Sequence, residues 1–307
     1  MSDADLIAEF AAVRVRVPAK VNLYLGVGPT RPDDFHELVT IFHAVDLTDD
    51  VLARRAPRLS VSVRGAETSG VPTDQRNLAW RAASLLAEHT ELPPHVALEI
   101  TKNIPVAGGM AGGSADAAAT LIACAQLWNT GSSRTELAQL AAELGSDVAF
   151  LLTGGTAIGT GRGEHLSPVL TTGTLHWTLA LADGEISAGA AYRELDRQRA
   201  GEAPQPRIPS GLIEALRAGD CWQLAPLLHN ELQPAALALM PALADVLAAG
   251  RAAGALAGIV SGSGPTCAFL ASSAPAAAEI AAALDASGTC RATRLASGPA
   301  LGARVIR

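Results

Sequence analysis

Lys20 stands in the stretch VPAKVN, residues 17–22, of a 307-residue chain that takes arginine for almost every basic side chain; Lys102 is the one other lysine. Arginine presents a planar fork of donors, whereas lysine carries a compact ammonium on a flexible stem, suited to sitting beside a single reacting atom. Asn22, two residues further along an alternating pattern, shares a strand face with Lys20. A second chemical candidate is IPVAGGMAGGSADAAA, residues 104–119, which holds four glycines between a strand pattern and an alanine-rich helix pattern. Glycines let backbone N–H groups turn inward around an anion, and a following helix start adds the positive end of its dipole. The stretch therefore reads as a phosphate cradle, with Ser114 expected to cap the helix. It is no P-loop, because neither lysine lies at its end. A dinucleotide fingerprint would come early in a βαβ unit, with an acidic residue about 20 positions on, and this loop has no such follower.

These residues need elements to hold them. Alternation with β-branched residues predicts strands over AVRVRVPAKVNLYLGVG, FHELVTIFHAVDL and RLSVSVRG, and another in HVALEITKNIP, which runs into the glycine loop. DQRNLAWRAASLLAEH has helical spacing at Leu78, Ala82, Leu85 and Leu86, with Asn77 a candidate cap. SSRTELAQLAAELG predicts a helix whose Ser133 and Glu136 form a capping box and whose Gly145 stops it. A new helical turn is expected at once, with Ser146 placed to cap it and Asp147 inside the first turn. From about residue 170 the pattern renews: a strand LHWTLALA, a helix near AAYRELDRQ, a Pro-rich linker, helices over 212–230 and 241–253, a loop GIVSGSGPT, a strand CAFLA, a helix APAAAEIAAALDAS and a last strand near 291–296. The class expected is α+β in two halves, 1–168 and 169–307.

Composition limits the partners. Hydrophobic residues make up 49% and charged residues 17%, enough apolar material for a large core. A net charge of −7 argues against nucleic acid and anionic membrane surfaces, while an anionic small molecule can still find a local site. Cys124, Cys221, Cys267 and Cys290 show no paired spacing and read as buried thiols in a reduced compartment. The opening MSDADLIAEF is acidic where a signal peptide would be basic, and PAALALMPALADVLAAG is broken by Pro241 and Asp245. A cytoplasmic protein is expected.

The glycine loop resembles the second motif of the GHMP kinase superfamily, PAKVNLYLGVG the first, and GIVSGSGPTCAFL the third, in the family's order over nearly the whole chain. PAKVNLYL, RPDDFHELVTIFHAVDL and LGSDVAFLLTGGTAIGTGRGE together resemble the branch that phosphorylates 4-diphosphocytidyl-2-C-methyl-D-erythritol on its 2-hydroxyl in non-mevalonate isoprenoid synthesis. A GHMP-type kinase for another small alcohol is the alternative. The resemblance implies a two-domain fold, an N-terminal ribosomal-protein-like α/β domain followed by a ferredoxin-like α+β domain. It also implies transfer of the ATP γ-phosphoryl group, with Mg²⁺ accompanying the nucleotide.

On that resemblance Lys20 and Asp147 match the catalytic pair, the carboxylate as base and the ammonium beside it and the hydroxyl. ATP-binding positions carry over to Asn77, near the adenine, and to Pro105, Val106, Ala107, Gly108, Gly109, Met110, Ala111, Gly112, Gly113, Ser114 and Ala115; the Ser114 hydroxyl could also meet the metal. Asn22, Phe35, His36 and Tyr192 match substrate contacts, with His36 reading the cytosine edge and Phe35 and Tyr192 stacking on its faces. Thr266 and the segment 262–264 are expected over the phosphates or in the floor of the site. Two departures stand out. The family's Gly-Tyr-His is Asp34-Phe35-His36 here, which questions the turn. Its Gly-Gly-Gly-Ser-Ser-Asn ends here in Ala115-Asp116, and Asp116 is expected to face away from the phosphates.

Overall fold

The structure, a computed structural model, describes residues 12–201 and 203–306. The acidic opening decapeptide lies outside them. The first half is a mixed sheet covered by helices. Its spine is a long hairpin of β1 (Ala12–Thr30) and β2 (His36–Arg55), both consistent with the expected alternation, although β2 runs further than expected. β3 (Ser60–Gly65) and β4 (Val96–Lys102) extend the sheet beyond β2. β5 (Thr156–Gly161) pairs with the β2 segment Leu38–His43, and β6 (His165–Pro168) pairs with β5. These last two strands went unforeseen, because glycine in TAIGTG masks the strand signal.

Four helices pack on this sheet: α1 (Leu78–His89), α2 (Gly112–Trp128), α3 (Arg134–Leu144) and α4 (Ser146–Thr153). α2 is buried along most of its length, and its run of alanines lets it approach β1 and β2 closely. The capping box of Ser133 and Glu136 is present. Two cap expectations are corrected. α2 begins at Gly112 behind a left-handed Ala111, so Ser114 lies inside its first turn rather than capping it. α4 is capped by Gly145, and the Ser146 hydroxyl donates instead to the Arg162 carbonyl at 2.9 Å.

The second half contains an antiparallel sheet in the order β11 (Ala292–Gly298), β7 (Leu175–Leu181), β10 (Cys267–Ala271), β9 (Ala257–Val260). With α5 (Ala188–Arg199) and α10 (Ala274–Ser287) among its helices, this is the ferredoxin-like arrangement expected. The helix expected over 212–230 is broken into α6 (Leu212–Ala218), α7 (Cys221–Leu224) and a 3-10 turn, because Gly219 ends the first piece and Pro226 cannot continue the second. α8 (Gln233–Leu239) was missed, and α9 (Leu243–Ala252) follows it at a bend of 120°. Among the described residues no single helix is long and apolar enough to cross a membrane.

Two strands tie the halves together. β8 (His229–Asn230) and β12 (Arg304–Ile306) both pair with β1, although they follow residue 169. β1 also contributes to two cores: Val15 to Tyr24 pack in the larger one, built mainly from the first half but reaching Trp177 and Leu270, and Leu25 and Val27 pack in one otherwise made by the second half. Lys20 and Asn22 sit on the strand just before that change of core.

Candidate functional site

Lys20 is 5% exposed, and its ammonium donates to Asn22 Oδ1 at 2.7 Å. The Asn22 amide donates to Thr40 Oγ1 at 2.8 Å, which in turn donates to the Tyr24 carbonyl at 2.7 Å. This relay crosses from β1 to β2 and holds the amide oxygen toward the ammonium. Asp147 Oδ2, at the start of α4, lies 3.9 Å from the same Nζ. A charged donor and a carboxylate so placed can share one hydroxyl between them.

The glycine loop forms the facing wall. Ala107, Gly109 and Ala111 are all left-handed, with φ of 51°, 73° and 61°. Left-handed residues alternating with others turn successive N–H groups toward one side, the geometry of an anion nest. The loop is fastened at three carbonyls. Lys20 N–H donates to that of Met110 at 3.3 Å, Ser261 Oγ to that of Gly109 at 3.1 Å, and Thr266 N–H to that of Gly108 at 3.4 Å. Gly109 must be glycine: a Cβ there would lie 1.9 Å from the Ser261 carbonyl oxygen. Gly262 is less tightly confined but is also left-handed, with φ 53°, and a Cβ there would lie 3.0 Å from the Gly109 carbonyl oxygen and 3.3 Å from Lys20 Nζ. All three glycine-bearing segments thus meet around one ammonium.

Together these walls enclose a cavity of about 620 Å³. Of the residues expected in the site, Lys20, Asn22, Phe35, Ala107, Gly108, Gly109, Ala111, Gly112, Gly113, Ser114, Asp147 and Tyr192 line it. Pro105 and Val106 instead line an adjoining cavity of about 370 Å³, which Thr266 also borders. Met110 and Ala115 are fully buried and support the loop from behind. Asn77 caps α1: Oδ1 accepts from Ala79 N–H at 2.8 Å, and Nδ2 donates to the Pro72 carbonyl at 2.7 Å. Both of its polar atoms are therefore engaged away from either cavity.

At the far end, Phe35 is 54% exposed and carries the Arg162 guanidinium 4.9 Å above its ring centroid. Tyr192 stacks on His36, with centroids 5.0 Å apart and planes at 18°. Burial first, and the charge of Asp147 second, push the Tyr192 phenol above its ordinary value. His36 Nε2 meets Asp196 Oδ1 at 2.9 Å. In a neutral ring that carboxylate keeps the proton on Nε2, which leaves Nδ1 as an acceptor. The turn before His36 keeps its shape without glycine: Asp34 takes φ 63°, a conformation Asp tolerates better than most residues.

Three participants escaped the sequence reading. Asp196 is one turn on from Tyr192, a helical i,i+4 spacing that could have flagged it. Arg162 belongs to a segment recognised only for its resemblance. The third is a buried cluster behind the loop. Lys102, 2% exposed, is ion-paired with Asp49 and, at 2.8 Å, with Asp116. Asp49 Oδ1 also accepts the Asn103 and Ile104 amides at 2.6 and 2.9 Å, where β4 passes into the glycine loop. Burial pushes the Asp116 carboxyl well above its ordinary range, against the pull of Lys102. Burial also opposes the charge on Lys102, yet the two aspartates hold its ammonium above the ordinary value. Asp116 faces away from the phosphate side, as expected.

A β4–loop–α2 anion cradle set against a lysine and a carboxylate, on an α/β half joined to a ferredoxin-like half, defines a small-molecule kinase of the GHMP type. The family model for the GHMP kinases N terminal domain matches residues 77–155, and that for the GHMP kinases C terminal domain matches 212–290. The 4-diphosphocytidyl-2-C-methyl-D-erythritol kinase of Mycolicibacterium gilvum is 58% identical over 299 residues, covering 96% of this chain and 93% of that one. A crystal structure of 4-(cytidine 5'-diphospho)-2C-methyl-D-erythritol kinase is 32% identical, with a TM-score of 0.74 over 92% of this chain and 98% of that one. A homoserine kinase from Cytophaga hutchinsonii shares the fold, with a TM-score of 0.73 at 22% identity over 96% of this chain and 97% of that one. This chain belongs to the 4-diphosphocytidyl-2-C-methyl-D-erythritol kinase family.

Proposed function

We propose that this chain transfers the γ-phosphoryl group of ATP to the 2-hydroxyl of 4-diphosphocytidyl-2-C-methyl-D-erythritol, in the non-mevalonate route to isoprenoid precursors. The observation that carries the reading is the 3.9 Å approach of Lys20 Nζ to Asp147 Oδ2 in a cavity whose facing wall is the amide nest. Phosphoryl transfer asks little covalent chemistry of a protein; it asks for alignment and for charge placed where charge develops. The triphosphate lies along the glycine loop and the start of α2. The acceptor hydroxyl enters between Lys20 and Asp147. Asp147 takes its proton as the oxygen attacks, and Lys20, held by Asn22, offsets the charge that builds on that oxygen. A positioned base of this kind contributes on the order of 10² to 10⁴ in rate.

Magnesium fits this site as an ion carried by the phosphates. Mg²⁺ is commonly held by one or two protein oxygens, with phosphate oxygens and waters completing the shell. The Ser114 hydroxyl and the Asp147 carboxylate line the same cavity, while Asp116 is committed to Lys102. Bound there, the ion would neutralise charge on the transferring phosphoryl group. Phe35 and Tyr192, which line the cavity, would hold the cytosine, with His36 stacked on Tyr192 beside them.

The test is ADP release measured with the cytidylated acceptor, with homoserine and with mevalonate. Turnover with the first alone is expected. Turnover with either of the others at comparable kcat/KM would point to a different small alcohol.

A further inference from the structure

We infer that Arg162 is the cation that binds the diphosphate of the acceptor substrate and so sets its preference for a cytidine diphosphate ester. Among the described residues lining the main cavity, the cationic side chains are those of Lys20 and Arg162. Lys20 is engaged by Asn22 and faces Asp147, at the position of the hydroxyl. The ATP phosphates have the amide nest and the start of α2. A second polyphosphate in the same cavity still needs compensation, and Arg162 is the group left to supply it.

Its place matches the order of groups in such a substrate. A cytidine diphosphate ester runs from base through diphosphate to alcohol. The Arg162 guanidinium lies over Phe35, at the base end, while its backbone carbonyl accepts the hydroxyl of Ser146, the residue before Asp147, at the alcohol end. The side chain thus stands between the two sites that flank the diphosphate. It is 40% exposed, so it reaches open cavity. Glu164 approaches one edge, with Nε and Oε1 3.9 Å apart, and accepts the Arg162 backbone N–H at 2.5 Å. A guanidinium has five donors in a rigid fork, so that edge contact orients it and leaves paired donors for phosphate oxygens.

The inference rests on the cytidylated acceptor proposed above, and the experiment separates the two. Inhibition constants of CDP and of cytidine, each competing with the cytidylated acceptor, are measured for the wild type, Arg162→Gln and Arg162→Lys. The wild type should prefer CDP. In Arg162→Gln that preference should fall by about tenfold or more, the worth of a charge-assisted phosphate contact. Arg162→Lys, which keeps the charge and loses the fork, should retain part of it, and the KM for ATP should stay within about twofold in both variants. A CDP-to-cytidine ratio unchanged in Arg162→Gln, with the two inhibitors untouched or weakened equally, would overturn the assignment, since a residue that only supports Phe35 affects both alike. A wild type that releases no ADP with the cytidylated acceptor would remove the reading of the site and the role of Arg162 with it.

Discussion

Lys20 Nζ and Asp147 Oδ2 stand 3.9 Å apart, one on a strand at the middle of the sheet and the other in the first turn of a short helix. The distance exceeds a hydrogen bond, and it leaves the ammonium bonded to Asn22 while the carboxylate faces the cavity. Asp147→Asn keeps the shape and removes the base. Its kcat should fall by about 10² to 10⁴, with ATP affinity retained in a direct binding measurement. Lys20→Arg should lose turnover by a comparable factor, because a planar fork cannot keep the single bond to Asn22 Oδ1 and also place one point charge beside the reacting oxygen.

Gly109→Ala tests the fastening of the loop. Its backbone is left-handed and its Cβ would press into the Ser261 carbonyl, so the loop must part from the third glycine segment. The KM for ATP should rise at least tenfold, and thermal stability should drop by about 1–3 kcal/mol. An ATP KM equal to that of the wild type would show that the contact does not shape the phosphate site.

The buried cluster should respond unevenly to its own substitutions. Lys102→Met leaves two carboxylates enclosed without their cation and should cost about 3–5 kcal/mol in denaturant unfolding. Asp116→Asn keeps an acceptor for Lys102 and removes a charge that burial already disfavours, so it should change stability by less than about 1 kcal/mol. Equal losses in the two variants would refute the asymmetry.

His43 supplies a pH dependence unrelated to catalysis. It is fully buried, its Nδ1 meets Thr156 Oγ1 at 2.8 Å, and burial lowers its pKa from 6.5 to about 3. Unfolded, the ring takes a proton near its ordinary value; folded, it resists down to about pH 3. Between those values the unfolded state binds more protons, so stability falls as pH falls. His43→Asn, whose amide can replace Nδ1 toward Thr156, lacks that slope. The stability advantage of the wild type over the variant should therefore shrink by about 2 kcal/mol between pH 6.5 and pH 5, as read from paired unfolding curves.

Where local chemistry speaks, the sequence was legible. The capping box at Ser133, the stop at Gly145, the strands around Lys20 and the alanine helix after the glycine loop follow from neighbouring residues, and the structure holds them. It was silent where an element owes its form to distant partners. TAIGTG becomes a strand because β2 offers it a free edge, and His229–Asn230 because β1 does. Ser146 looked like a cap, yet its hydroxyl turns to Arg162 across the next hairpin.

The residue types and their order, read with the family resemblance, sufficed to expect the cradle, the pairing of one odd lysine with one carboxylate, and aromatic and imidazole side chains at a base end. Their convergence belonged to the tertiary structure alone. Backbone pairing between β1 and β2, and packing of α4 against the same core, set how far apart Lys20 and Asp147 lie; no local preference encodes that distance. Long-range packing likewise buried Lys102 between two aspartates and brought Arg162 over Phe35. Spacing along a chain constrains which face a side chain takes within its own element, whereas contact between elements depends on how their buried surfaces fit.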